Sequence, residues 1–444
     1  LKRKDIKLKL RVLHTNDHHG HYLPDTNGQF GMAARKTLLD SLRSEIISEN
    51  GHHILLSGGD INTGTMESDI FDAEPDFKGM KLLGYDAMAI GNHEFDNSYK
   101  TLLKQQEWAG FPFLSANIFW KGTSKRVFNP VYIIKKYDDV KVGIFGLTTK
   151  DTPFKASHDD AKRKFDFRSI IESARSVVKE LREKEKVDLV FVVTHIGHYG
   201  SSTSNGDIDL ATKVDGIDVI IGGHSQEIIN AEKHNGTIIV QAEDWGKYVG
   251  VLDLKIGMDN KKSSFDYKLI PVNLKEKVGG ERVYIEKEIA QNLDLKKFFS
   301  PYKSEADEVG KKVVGKLSRT LDGSRLKVRT EQMPIGQFIA EALNHEVKDI
   351  DIIVLNGGSI RSSLEKGPVS RKKIHNVHPY GNTISSIKFT AQELFDYFSV
   401  IAKKAVVDSR NIIGGYPQIG KGKLTIVGGK LSLIHISEPT RLGM

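Results

Sequence analysis

The 444-residue sequence contains no cysteine. Disulfides, thiolate zinc sites and cysteine nucleophiles are therefore excluded together. Long hydrophobic runs are missing as well. The longest apolar stretches are Ile352–Leu355, Val187–Val193 (broken by Asp188) and Val219–Ile221. All fall far short of the ~20 residues a membrane-spanning helix needs. No internal repeat and no low-complexity tract is present. What remains is an ordinary globular composition, 39% hydrophobic and 27% charged, which sets aside wholesale disorder and collagen. The length suits two or three domains of roughly 100–200 residues each.

The formal charge is +8. The basic residues are dispersed rather than interleaved with aromatics, so they read as a solubilising surface and no nucleic-acid partner is expected. The basic stretch Leu1–Arg11 runs into the alternation Ile6, Leu8, Leu10, Val12, which predicts a strand rather than a charged tail. The chain begins with Leu1 and shows no apolar signal core, as expected if a leader was removed or never recorded.

Up to about residue 280 one pattern recurs: a short apolar strand ends in a polar cluster, and a helical stretch follows. Leu8–Leu13 leads to His14-Thr15-Asn16-Asp17-His18-His19, and His53–Leu56 to Gly58-Gly59-Asp60. Asp86–Ile90 leads to Gly91-Asn92-His93-Glu94-Phe95-Asp96, Asp188–Val193 to Thr194-His195, and Ile217–Ile221 to Gly222-Gly223-His224-Ser225-Gln226. Alternating strands and helices predict an α/β sheet, in which ligands collect beyond the strand ends. The five clusters are therefore expected to meet in space. Four segments are expected: a first α/β domain over 1–292, a connecting helix over 293–313 interrupted at Pro301, a smaller α/β or α+β domain over 314–430 that looks C-terminally incomplete, and an atypical tail over 431–444.

The clusters share a chemistry. Divalent metals take carboxylate, amide and imidazole donors. Asp17-x-His19 puts two such donors on one side of an extended chain. Asp60 follows a Gly-Gly pair that lets backbone approach an ion, and its two oxygens can bridge a metal pair. Asn92, His195, His224 and Gln226 complete a donor set whose two carboxylates oppose a nominal +4, leaving room for hydroxide and phosphate.

These motifs resemble the calcineurin-type metallophosphoesterases, and within them the bacterial 5′-nucleotidase/UDP-sugar hydrolase group. The resemblance spans nearly the whole first domain. Gln226, where most relatives carry a second histidine, resembles the periplasmic nucleotidase branch. It implies a four-layer sandwich domain and two divalent metals (zinc, manganese, cobalt or iron). It also implies in-line attack on phosphorus, with His93 as a non-ligand that stabilises the transition state and Asp96 as its orienting partner. The second domain is similar to that family's substrate domain through Asn356-Gly357-Gly358-Ser359-Ile360-Arg361 and Pro379-Tyr380-Gly381-Asn382. By that resemblance Tyr380 stacks on a nucleobase, Asn382 and Asn356 contact the nucleoside, and Arg329 and Arg361 offer forked donors. The family's second stacking aromatic and its Gly-Gly-Asp-Gly segment are not found after Tyr416-Pro417-Gln418. The implied activity is 5′-nucleotidase, extending to UDP-sugars, in a periplasmic or secreted monomer. The alternatives are a 2′,3′-cyclic phosphodiesterase/3′-nucleotidase and a non-catalytic nucleotide-binding or surface module.

Overall fold

The computed structural model describes residues 6–200, 205–347, 350–380, 382, 384–405, 414–427 and 430–436. It divides into two compact units, Leu1–Ser304 and Glu305–Met444.

The first unit carries two six-stranded sheets. The strands of these two sheets are β1 (Ile6–Thr15), β2 (His52–Ser57), β3 (Ala87–Ala89), β4 (Phe113–Leu114), β5 (Tyr132–Tyr137), β6 (Val140–Thr148), β7 (Leu189–His195), β8 (Val219–Ile221), β9 (Ile228–His234), β10 (Thr237–Ala242), β11 (Tyr248–Gly257) and β12 (Lys262–Pro271). One sheet has the order β12-β11-β1-β2-β3-β4, the other β9-β10-β8-β7-β6-β5. Alternation assigns the faces. Leu10, Val12, Ile54 and Leu56 of the first sheet pack in one core with Ile144, Phe191, Val193 and Ile221 of the second. On the outer faces, Leu13, Leu55 and Met88 meet helices α1 (Met32–Ser48), α2 (Glu74–Leu83) and α3 (Tyr99–Ala109). Val190, Val192 and Ile220 meet α4 (Ile170–Lys179) and α5 (Asp207–Lys213). The layers run helix, sheet, sheet, helix. Because β7 is covered on both faces, its sequence is a nearly continuous apolar run instead of an alternating one.

The helix α6 (Leu293–Gly310) passes through Pro301 rather than breaking there. Proline removes one intrahelical bond and crowds the preceding turn. Burial of Leu295 and Phe299 in the helix-covered core of the first sheet holds the turn before it in place. Tertiary packing outweighs the local penalty.

In the second unit the described strand pairs are all antiparallel: Val313–Leu317 with Gly367–Ser370, Ile353–Asn356 with Pro417–Gly420, and Gly422–Val427 with Lys430–Ile436. With α7 (Pro334–Glu346) and α8 (Ala391–Ala405) this is an α+β arrangement. The first residues of the expected tail therefore lie in a hairpin strand. Residues 437–444, including the expected turn at Ser437-Glu438-Pro439-Thr440, lie outside the described residues, as does Gly381. No helix among the described residues is long and apolar enough to cross a membrane.

Candidate metal centre

Parallel pairing aligns the strand ends. β1 pairs with β2 and β2 with β3 in parallel, and β7 pairs in parallel with both β6 and β8. Asp17 lies two residues past β1, Asp60 three past β2, Asn92 three past β3, and His224 three past β8, while His195 ends β7. The polar clusters thus emerge at the same edge of their sheets, where open α/β folds bind ligands.

The donors converge there. His195 Nε2 lies 2.9 Å from Asp60 Oδ2. His224 Nδ1 lies 3.1 Å from His195 Nε2. His19 Nε2 is 3.8 Å from Asp17 Oδ1 and 3.9 Å from Asp60 Oδ2. The Gln226 amide approaches His19 Nε2 at 2.9 Å, and a half-turn of that amide presents its oxygen instead. Two groups have donor atoms close enough to share an ion, His19/Asp60/His93 and Asp60/His195/His224, and Asp60 belongs to both. His93 is the half-buried member of the first group. Its Nδ1 is 2.6 Å from Asp96 Oδ2 across the single turn His93–Phe95.

Two observations test whether these residues fit cations. Asp17 Oδ1 and Asn92 Oδ1 are buried acceptors with no hydrogen-bond partner among the described residues, a costly condition that a bound cation removes. Backbone geometry gives the second. Asp17 (φ 50°), His19 (φ 48°), Asp60 (φ 54°), His224 (φ 78°) and Gln226 (φ 57°) all occupy the left-handed region. Strain of this kind concentrates at functional sites and persists only where the surroundings enforce it. The donors fit a divalent metal centre.

Opposing effects set the charge state. Burial pushes the Asp17 carboxyl up to about 6. Burial acts in the same direction on Asp60, but His195 and His93 outweigh it and hold Asp60 well below the usual carboxylate range. Burial would lower His195, yet Asp60 and Asp17 lift it to about 9. Burial, with Lys155 and His195, holds His224 well below the ordinary imidazole value. The metal-free centre keeps a proton on His195 that a cation would displace.

The structure also places residues to which the sequence assigns no role. Asn16 Nδ2 donates to Asp17 Oδ2 at 2.8 Å. Lys155 Nζ lies 2.6 Å from His224 Nε2, and no spacing signal points to it. Buried Glu94 stands inside the cluster that follows β3.

In the second unit, the Arg361 guanidinium lies over the Tyr380 ring at 5.8 Å. The Asn382 backbone N–H donates to the Tyr380 carbonyl at 2.6 Å. Asn356 ends its strand beside the turn Gly357–Ser359, whose Gly357 N–H donates to Tyr416 O at 2.7 Å. Arg329 closes the turn Lys327–Arg329. A side chain on Gly357 would collide with the Val328 carbonyl of that turn, so the Arg329 and Asn356 segments are packed together.

Fold and centre together define a calcineurin-like phosphoesterase. That family's model matches residues 10–227, and the model of the 5′-nucleotidase C-terminal domain matches residues 313–427. A 5′-nucleotidase of Vibrio vulnificus is 43% identical over 97% of this chain and 82% of its own length. Protein UshA of Escherichia coli is 40% identical over 98% of this chain and 83% of its own. Among solved structures, a 5′-nucleotidase precursor from Thermus thermophilus superposes with a TM-score of 0.75 at 24% identity, covering 97% of this chain and 85% of that one. A 5′-nucleotidase from Candida albicans gives 0.65 at 19% identity, covering 90% and 77%. The chain belongs to the 5′-nucleotidase family of metal-dependent phosphoester hydrolases.

Proposed function

We propose that this chain hydrolyses nucleoside 5′-monophosphates at a pair of divalent cations, and that it also cleaves UDP-sugars. The observation that carries the reading is Asp60, shared by two donor clusters, one of which includes the His93 that pairs with Asp96. Asp17, His19, Asp60 and Gln226 would hold one cation, and Asp60, Asn92, His195 and His224 the other. When bound, the two cations supply Lewis acidity toward the phosphoryl oxygens and toward water. The donor set does not single out zinc, manganese, cobalt or iron.

The chain's own groups do the rest. Asp96 accepts from His93 Nδ1 and so fixes the ring with Nε2 pointing away from it. His93 Nε2 is then the group that meets charge developing on the phosphoryl and leaving oxygens and that returns a proton. His195 Nδ1 is 2.8 Å from the Gly58 carbonyl, which holds its Nε2 toward Asp60. Arg361 and Tyr380, with Asn382, Asn356 and Arg329, form the proposed nucleoside site. Stacking on Tyr380 is base-tolerant and contributes ~1–3 kcal/mol. The family resemblance supports an exported monomer, which periplasmic fractionation and size-exclusion chromatography check.

The test is phosphate release from AMP, with UDP-glucose and cyclic nucleotides as comparators, in the presence and absence of chelator. AMP turnover abolished by EDTA and by Asp60→Asn is expected. Preference for 2′,3′-cyclic nucleotides would move the assignment to the cyclic phosphodiesterase, and metal-independent turnover would overturn it.

A further inference from the structure

Glu94 has no role in the assignments above, yet it is completely buried and surrounded by backbone donors. Its Oε2 accepts from the N–H groups of Asp60 at 3.0 Å and Gly91 at 2.7 Å. Its Oε1 accepts from Ile61 at 2.8 Å and Asn62 at 3.3 Å. One carboxyl group therefore ties the loop after β2, which carries Asp60, to the loop after β3, which carries Asn92. Asp60 is one of the residues in the left-handed region (φ 54°), as is the preceding Gly59 (φ 87°). Outside glycine such a conformation costs of order 1–2 kcal/mol and needs fixed partners. The second loop returns the contact, because His93 N–H donates to Asp60 Oδ1 at 2.9 Å. That bond leaves Oδ2 facing His195 and His19.

We propose that Glu94 is a positioning residue that sets the reach of Asp60 and Asn92, and thereby the metal affinity of the centre, by clamping their two loops through four backbone N–H groups. The inference rests on the reading of Asp60 and Asn92 as metal ligands. Glutamate is the residue type such a clamp requires. A carboxylate accepts at both oxygens, whereas an isosteric amide turns two donors toward N–H groups and can satisfy only part of the set.

The experiment measures manganese and zinc binding to the whole chain by competition with a chromophoric chelator, for wild type, Glu94→Gln, Glu94→Asp and Asp60→Asn. Circular dichroism establishes that each variant is folded. Folded Glu94→Gln is expected to bind metal about 10–100-fold more weakly, the range typical of groups that orient ligands. Glu94→Asp, which keeps the carboxyl group, should lose less, and excess metal should restore much of the AMP turnover of both. A purely structural Glu94 would lower the melting temperature and leave metal affinity in the folded fraction unchanged; that result overturns the proposal. Failure of the wild type to bind metal, or unchanged binding by Asp60→Asn, would instead overturn the ligand reading. If neither Glu94 variant folds, hydrogen exchange of the metal-free wild type decides. The peptide over Gly58–Asn62 should exchange slowly, and rapid exchange there would refute the clamp.

Discussion

His93 poses at the scale of one side chain the choice between catalysis and ligation. Its Nδ1 is committed to Asp96, and it is one of three members of the cluster with His19 and Asp60. His93→Asn is expected to lower turnover by about 10²–10³-fold, the range for losing one preorganised donor or proton-transfer group. Metal content per chain should not change; metal loss would mean that His93 is a ligand. His14 carries a different prediction. It is buried beside Tyr267, its Nε2 3.2 Å from the hydroxyl, and burial lowers it from an ordinary 6.5 to about 3. The folded chain keeps this ring neutral while the unfolded chain protonates it below pH 6.5. The unfolded state then binds more protons, and stability falls as pH drops from 6.5 toward 3. Between pH 7 and 5 this one ring should remove about 2 kcal/mol from the metal-free protein. His14→Asn should weaken that pH dependence in urea unfolding, and equal slopes for the two proteins would rule the effect out.

At the scale of elements, the loops after the strands are built to touch. A Cβ on Gly223 would lie 2.6 Å from the Gly58 carbonyl and 3.0 Å from His195 Nδ1. Only glycine lets the loop before His224 meet the loop before Asp60. Gly223→Ala is therefore expected to weaken metal binding about tenfold or more, by moving ligand-bearing loops apart. Calorimetric titration checks this, and unchanged affinity would show that the loops yield. The strands that carry these loops are legible in the sequence, because β1 alternates and β7 is a buried run. The loops are legible only as clusters of donor types. Their left-handed residues are not, because aspartate, histidine and glutamine carry no local signal for positive φ comparable with glycine's. The continuous course of α6 through Pro301 escapes a local reading for a related reason: the burial of Leu295 and Phe299 outweighs the proline's own preference.

At the scale of the molecule, binding energy should appear as stability. A cation that binds only the folded state adds about 2.7 kcal/mol at a hundredfold excess over its dissociation constant. A calorimetric scan should therefore show chelator lowering the melting temperature of the unit Leu1–Ser304, which holds all the proposed ligands. Identical scans with and without chelator would argue against a resident metal.

The sequence by itself determined the chemistry available and its order along the chain: no thiols, and five strand-ending clusters of oxygen and nitrogen donors. Those follow from residue type and periodicity, which are local properties. Tertiary structure alone decided which side chains stand around Asp60, that Glu94 accepts from backbone N–H groups of two loops, that Arg361 lies over Tyr380, and that Lys155 stands at His224. Each depends on residues brought within a few ångströms by parallel strand pairing across long separations in the chain, and no local pattern records that closeness.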